Sequence, residues 1–190
     1  MQDKDKFIVG TVKHGVMKQG QNIVFSPSNI KANIVSIEMN NAKINEAFPG
    51  YYVSIRIDAP DYDNEVKCGY VCGDPSRDPP KECANFTANL VISNYPKKIY
   101  EGYKCFLYCN STHVPCKFIK FIRRTDRPNG RKIYENPKWI LKDDIAVVEI
   151  EPLEPISIEV NSDYPSLGRL VFRDMNLVVA VGIALNVEKK

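Results

Sequence analysis

Apolar positions in this chain recur in short runs close to two-residue alternation, and almost nowhere at the three- and four-residue spacing of an amphipathic helix. Such runs, rich in β-branched and aromatic residues and broken by turn residues, predict strands. In the first half they cover residues 7–13, 22–26, 33–38 and 52–57, separated by Lys18-Gln19-Gly20, Ser26-Pro27-Ser28-Asn29 and Phe48-Pro49-Gly50. Asp74-Pro75-Ser76-Arg77-Asp78-Pro79-Pro80 then brings three prolines close together. Prolines have no amide to donate to a sheet ladder, so the boundary between two modules is expected here, giving residues 1–83 and 84–190. Beyond it, residues 86–93, 104–109, 114–123, 144–150, 156–160, 170–173 and 178–187 read as strands, and Arg127-Pro128-Asn129-Gly130 as a tight reversal. Many short strands at regular spacing predict an all-β fold of two small barrels in tandem.

Composition adds bounds. A chain of 190 residues, 44% hydrophobic and 26% charged, suits one or two ordinary soluble domains. No apolar run reaches the ~18 residues of a spanning helix, and no secretory signal is expected from the first residues. A cytoplasmic location follows as an expectation. Charge is uneven: residues 1–83 carry 10 basic and 11 acidic side chains, residues 84–190 carry 16 and 12, so a polyanion is directed to the second module. Cys68 and Cys72 are four apart, as are Cys105 and Cys109, and no C-x-x-C occurs, which favours buried reduced thiols over zinc or disulfides. No metal ligand set and no catalytic constellation is expected. The phosphate-cradling G-x-x-x-x-G-K-[ST] loop is missing, because Val16 follows Gly10 and Gly15 where lysine is needed.

The densest candidate chemistry is the stretch from Lys117 to Lys132, with Lys117, Lys120, Arg123, Arg124, Arg127, Arg131 and Lys132 against one acid, Asp126. Cations beside a phosphate backbone gain affinity by releasing counterions, without reading bases. The order Phe118-Ile119-Lys120-Phe121-Ile122 is not cleanly alternating, so one face cannot be given to all of them from pattern alone. Arg169 and Arg173 share a strand face and read as interface arginines pairing with carboxylates. Trp139 reads as core packing.

Ser162-Asp163-Tyr164-Pro165-Ser166-Leu167-Gly168-Arg169, with Val171-Phe172-Arg173-Asp174-Met175 and Val179-Ala180-Val181-Gly182, resembles the closing segment of the translation elongation factor 1-alpha family. Gly15 to Gly20, Ser36-Ile37-Glu38-Met39, Gly73-Asp74 with Asp78-Pro79-Pro80, Gly102-Tyr103 and Cys116-Lys117-Phe118 extend that resemblance in order. It implies two Greek-key-type β barrels, the family's second and third domains, with the first lacking its initial strand. The nucleotide-binding domain of that family is not matched, so the resemblance implies no GTPase activity for this chain and GTP with Mg²⁺ only in a parent protein.

The implied partners are aminoacyl-tRNA, the parent's own GTPase domain, a guanine-nucleotide exchange factor, the ribosome and, in relatives, actin. The implied tRNA-binding residues are Glu38, for the terminal adenosine, and Lys117 and the backbone at Met175, for the T stem. Lys120, Arg123 and Arg124 join them on charge. Some positions depart from the family: Tyr52 replaces an asparagine beside the aminoacyl group, Asn40-Asn41 replace two histidines, and Glu154 replaces a T-stem lysine. Tyr52 and Glu154 favour an alternative, the barrels of a release-factor or ribosome-rescue GTPase that hold a tRNA-mimicking protein.

Overall fold

The structure is a computed structural model that describes residues 7–59, 66–93, 95, 97–127 and 132–190. Its described residues form strands and turns with no helix. The chain divides into two compact units, residues 1–80 and 81–190.

In the first unit, β1 (Ile8–Thr11), β3 (Asn22–Ser26), β4 (Ile30–Met39), β7 (Tyr52–Asp58) and β8 (Val71–Gly73) form an antiparallel sheet in the order β1-β7-β4-β3-β8. β5 (Ala42–Ile44) pairs with β4, while β2 (Met17–Lys18) and β6 (Glu46–Ala47) make a separate ladder. Alternation sets the faces. On β7, Val53, Ile55 and Ile57 are buried while Tyr52 and Asp58 are exposed, and Ile34 and Ile37 of β4 complete the same core. Val35 is an extra residue in β4, where the register against β7 shifts between Ile34 and Ser36. Gly73 explains part of one motif: a Cβ there would meet the Pro80 ring, so the glycine lets the proline run fold back on the strand.

The second unit is a closed barrel. β9 (Cys83–Ile92), β10 (Lys104–Cys109), β11 (Thr112–Asp126), β13 (Ile145–Pro152), β14 (Arg169–Asp174) and β15 (Leu177–Lys189) pair in the cycle β10-β14-β15-β9-β13-β11, which β10 and β11 close. β12 (Lys132–Glu135) hangs on β11 outside the cycle. Closure removes sheet edges, and the interior is filled by Phe86, Leu107, Phe118, Phe121 and Phe172, all at or near zero exposure. Phe118 meets Phe172 edge-on at 5.4 Å, and burial of each such ring contributes about 1.5–3 kcal/mol. Gly182 sits where β15 crosses so near β9 that a Cβ would strike the Asn89 carbonyl oxygen.

Several expectations change. Cys83, expected to close the first module, is the first residue of β9, and its amide donates to the Ile156 carbonyl at 2.9 Å. Residues 156–160 form no strand; Ile156, Ser157, Ile158 and Glu159 are buried consecutively, so the segment is covered on both sides where a strand in a barrel wall would alternate. Trp139 is only partly buried, and the Lys98 ammonium lies 4.1 Å over its ring. Cys68 is exposed, unlike the buried Cys83, Cys105, Cys109 and Cys116. The Cys105 and Cys116 sulfurs lie 3.7 Å apart, and that contact together with burial pushes the Cys105 thiol up. Pro128-Asn129-Gly130 and Arg131 lie outside the described residues.

Candidate nucleic-acid interface

β11 uses ten residues, Cys116 to Thr125, where β13 uses the eight from Ile145 to Pro152. The difference is absorbed by register shifts between Phe118 and Lys120 and between Phe121 and Arg123, leaving Ile119 and Ile122 as the extra residues. Simple alternation from Lys117 would point Lys120 inward. The two bulges rephase the strand, so that Phe118 and Phe121 stay in the core while Lys117, Lys120 and Arg123 share the outer face.

Beyond the second bulge the original alternation resumes, and Arg124 falls on the inner face. It is 8% exposed and turned inward, its Nε 2.7 Å from Asp144 Oδ2 and its Nη2 3.6 Å from Asp126 Oδ2, with the guanidinium 5.1 Å from the Tyr134 ring. Asp144 also accepts the Leu141 amide at 2.6 Å. Burial pushes the Asp144 carboxyl above its ordinary value, against the opposing pull of that amide and of Arg124. The expectation that Arg124 meets phosphate is therefore corrected: its charge is held by two buried carboxylates and does not reach solvent.

The outer face gains a residue that the charge run did not include. Lys104 on β10 stands directly opposite Lys117, so two ammonium groups share a cross-strand position, an unfavourable arrangement unless an anion lies between them. Two-residue alternation along β10, which turns Lys104, Phe106 and Tyr108 outward and Cys105, Leu107 and Cys109 inward, is the signal that could have found it. Met175 occupies the two-residue turn between β14 and β15, 92% exposed and with φ 50°, a backbone region that non-glycine residues rarely adopt. Tyr103 ties this turn to the row. Its hydroxyl donates to Asp174 at 2.7 Å, and burial with that bond pushes the phenol up, so it keeps its proton.

Acids interleave the cations. Glu151 faces Lys117, Glu149 faces Lys120 and Glu135 faces Arg123 across neighbouring strands, and Glu154 is exposed just beyond β13. Beside the row lies an apolar strip on the same outer face: Phe106 at 47% exposure, Tyr108 stacked on His113 at 5.1 Å, then Val171 and Val181. Arg173 lies 5.6 Å over Tyr108, a stacking contact in place of the carboxylate pairing expected for it, and Arg169 is exposed.

In the first unit, Glu38 lines a shallow open cleft of about 250 Å³ with Val9, Asn40, Asn41, Tyr52 and Ser54. Asn40 and Asn41 form the two-residue turn joining β4 to β5, at φ 52° and 63°, which asparagine tolerates better than most residues. Tyr52, 67% exposed, offers a ring at the mouth, and Glu38 offers carboxylate acceptors beside two amides. All the positions flagged as departures around this cleft thus lie together. Among the described residues no group of histidines, cysteines and acids is arranged to hold a metal.

The fold and the face together define the class as an all-β chain of two units, one of them a closed six-stranded barrel with a lysine and arginine row on its wall. Residues 85–185, just over half the chain, match the family described as GTP-eEF1A C-terminal domain-like, and the chain belongs to that family. It is 38% identical to elongation factor 1-alpha of Meyerozyma guilliermondii over 95% of its length and 39% identical to the oocyte form of elongation factor 1-alpha of Xenopus laevis over 96%. It spans 39% of the length of each of these relatives. A crystal structure of Sup35 complexed with GDP superposes on the whole chain with TM-score 0.86 at 25% identity, covering 46% of that protein. The chain thus corresponds to the C-terminal region of an elongation-factor-1-alpha-like translation GTPase.

Proposed function

We propose that this chain is a tRNA-binding part of an elongation factor, holding the phosphate backbone on the outer face of its second unit and a single-stranded RNA end in the cleft of its first. The observation that carries the reading is the row of Lys104, Lys117, Lys120 and Arg123 on one outer face, with Lys120 brought into it by the first of the two bulges of β11. A lysine pair set directly opposite is relieved by a bound phosphate, and binding is then salt-dependent and indifferent to sequence. In the cleft, Tyr52 supplies a stacking face for a base and Glu38 an acceptor for a ribose hydroxyl. In a longer protein these barrels act with a GTPase domain, which holds GTP and Mg²⁺, to deliver aminoacyl-tRNA to the ribosome, and the exchange factor works on that domain. The proposal includes a cytoplasmic location.

Filter binding of unfractionated tRNA over a series of salt concentrations tests this. Wild-type chain should bind weakly with a steep salt dependence, and Tyr52→Ala should weaken binding of a tRNA with an intact CCA end by about 1–3 kcal/mol per stacked base. Salt-independent binding, or none at low salt, overturns the reading.

A second reading has its own support. The apolar strip of Phe106, Tyr108, His113, Val171 and Val181, and the acids Glu149 and Glu151 between the cations, suit a protein surface better than a bare phosphate backbone. On this reading the barrels hold a tRNA-mimicking protein, as in a release-factor or rescue GTPase. Loss of such a complex on Phe106→Asp, with tRNA binding unchanged, would favour it.

A further inference from the structure

Among the described residues, one stretch of β11 has no strand beside it on one flank. On that side β10 begins at Lys104, opposite Lys117, while β12 pairs only from Arg123 to Asp126. Gly102 and Tyr103 extend the β10 side as far as Phe118: the Gly102 amide donates to the Phe118 carbonyl at 2.8 Å, and the Phe118 amide to the Tyr103 carbonyl at 2.9 Å. Between Phe118 and Arg123 the backbone therefore carries both bulges and lacks a ladder on that flank. Two groups fill the gap. The Asn136 amide donates to the Ile122 carbonyl at 3.0 Å, and the Phe121 amide donates to the Glu101 carboxylate at 3.0 Å.

We propose that Glu101 is a positioning residue for the phosphate-binding row: by accepting the Phe121 amide it holds the bulged segment that turns Lys120 outward beside Lys117. This rests on the tRNA reading above. Glu101 is itself exposed, and it sits one amide from Lys120. Its charge taken alone repels phosphate, so electrostatics and positioning predict opposite signs when it is removed. The turn explains its reach. Gly102 adopts φ 88°, which lets the chain reverse into β10 immediately after Glu101 and aims the preceding side chain back at β11. A carboxylate accepting an amide makes a charge-assisted bond, stronger than the neutral backbone bond it replaces.

The test compares Glu101→Ala, Glu101→Gln, Lys117→Ala and Lys120→Ala in the 190-residue chain, with unfractionated tRNA as probe. Glu101→Ala should weaken binding although it removes a negative charge, lower the salt slope by about one phosphate contact, and speed hydrogen exchange of the Phe121 amide. Glu101→Gln, whose amide oxygen still accepts, should restore both affinity and exchange protection. If Glu101→Ala tightens binding or leaves it unchanged while Lys120→Ala weakens it, the positioning role is wrong and the tRNA reading stands. If Lys120→Ala and Lys117→Ala both leave binding unchanged, the tRNA reading itself fails and takes the proposal with it.

Discussion

The inner and outer faces of β11 carry the same kinds of side chain to opposite ends. Arg123 and Arg124 are consecutive, yet the first is exposed beside Glu135 and the second is sealed between Asp126 and Asp144. A guanidinium in the barrel has its charge committed to the fold, whereas one on the wall is free to meet a ligand. What separates them is strand phase, which residue type does not reveal.

The sharpest way to break this contrast is inside. Asp144→Ala should cost about 3–5 kcal/mol in denaturant unfolding, because it strands a buried guanidinium and frees the Leu141 amide. A loss below about 1 kcal/mol would mean that the pair is solvated and that the two faces are not distinct. On the outer face, Lys117→Glu should change stability by no more than about 0.5 kcal/mol and lower the salt slope of tRNA binding by about one unit or more. Glu154→Lys should do the reverse and strengthen tRNA binding at low salt, a smaller gain of about one added contact in the slope. No change from either substitution would remove the wall from consideration as a phosphate surface.

The smallest effect is in pH. Burial raises the folded Asp144 pKa above its ordinary 3.8, so the folded chain holds that proton more tightly than the unfolded chain does. Its contribution to stability is thus complete below about 3.8 and is lost as pH rises through the folded value. The stability of wild type relative to Asp144→Asn should grow as pH falls through this window, as followed by urea unfolding at stepped pH. A constant difference would show that Arg124 cancels the burial.

Most long strands were legible because their own apolar runs mark them, alternating in β7 and β10 and continuous in β3: β3 and β10 fall where the pattern puts them, and β7 runs one residue further. The five strands without a pattern of their own, β2, β5, β6, β8 and β12, are two to four residues long and exist because a partner strand supplies the hydrogen bonds. The same limit applies to the site. Charge density located the stretch around Lys120 but could not tell which way Lys120 and Phe121 face, since a bulge depends on hydrogen bonds made by β13, Asn136 and Glu101. Lys104 was overlooked for a different reason: it gains its meaning only from standing opposite Lys117, thirteen residues away along the chain. The glutamate and asparagines of the first cleft were each visible singly, and it was the hairpin turn at Asn40-Asn41 that gathered them.

The two surplus residues of β11 also bear on how this strand can change over evolutionary time. Ile119 and Ile122 have no opposite number on β13, so losing either codon would straighten the strand without moving Phe118, Phe121 or Arg124 out of the interior. A gap at those positions is structurally mild, whereas a gap at any of their neighbours would exchange wall for core. Length variation among relatives should therefore collect at these two points, and each loss would shorten the spacing between successive cations by one residue along the strand. The strand carries, in effect, an adjustable ruler for whatever polyanion lies against it.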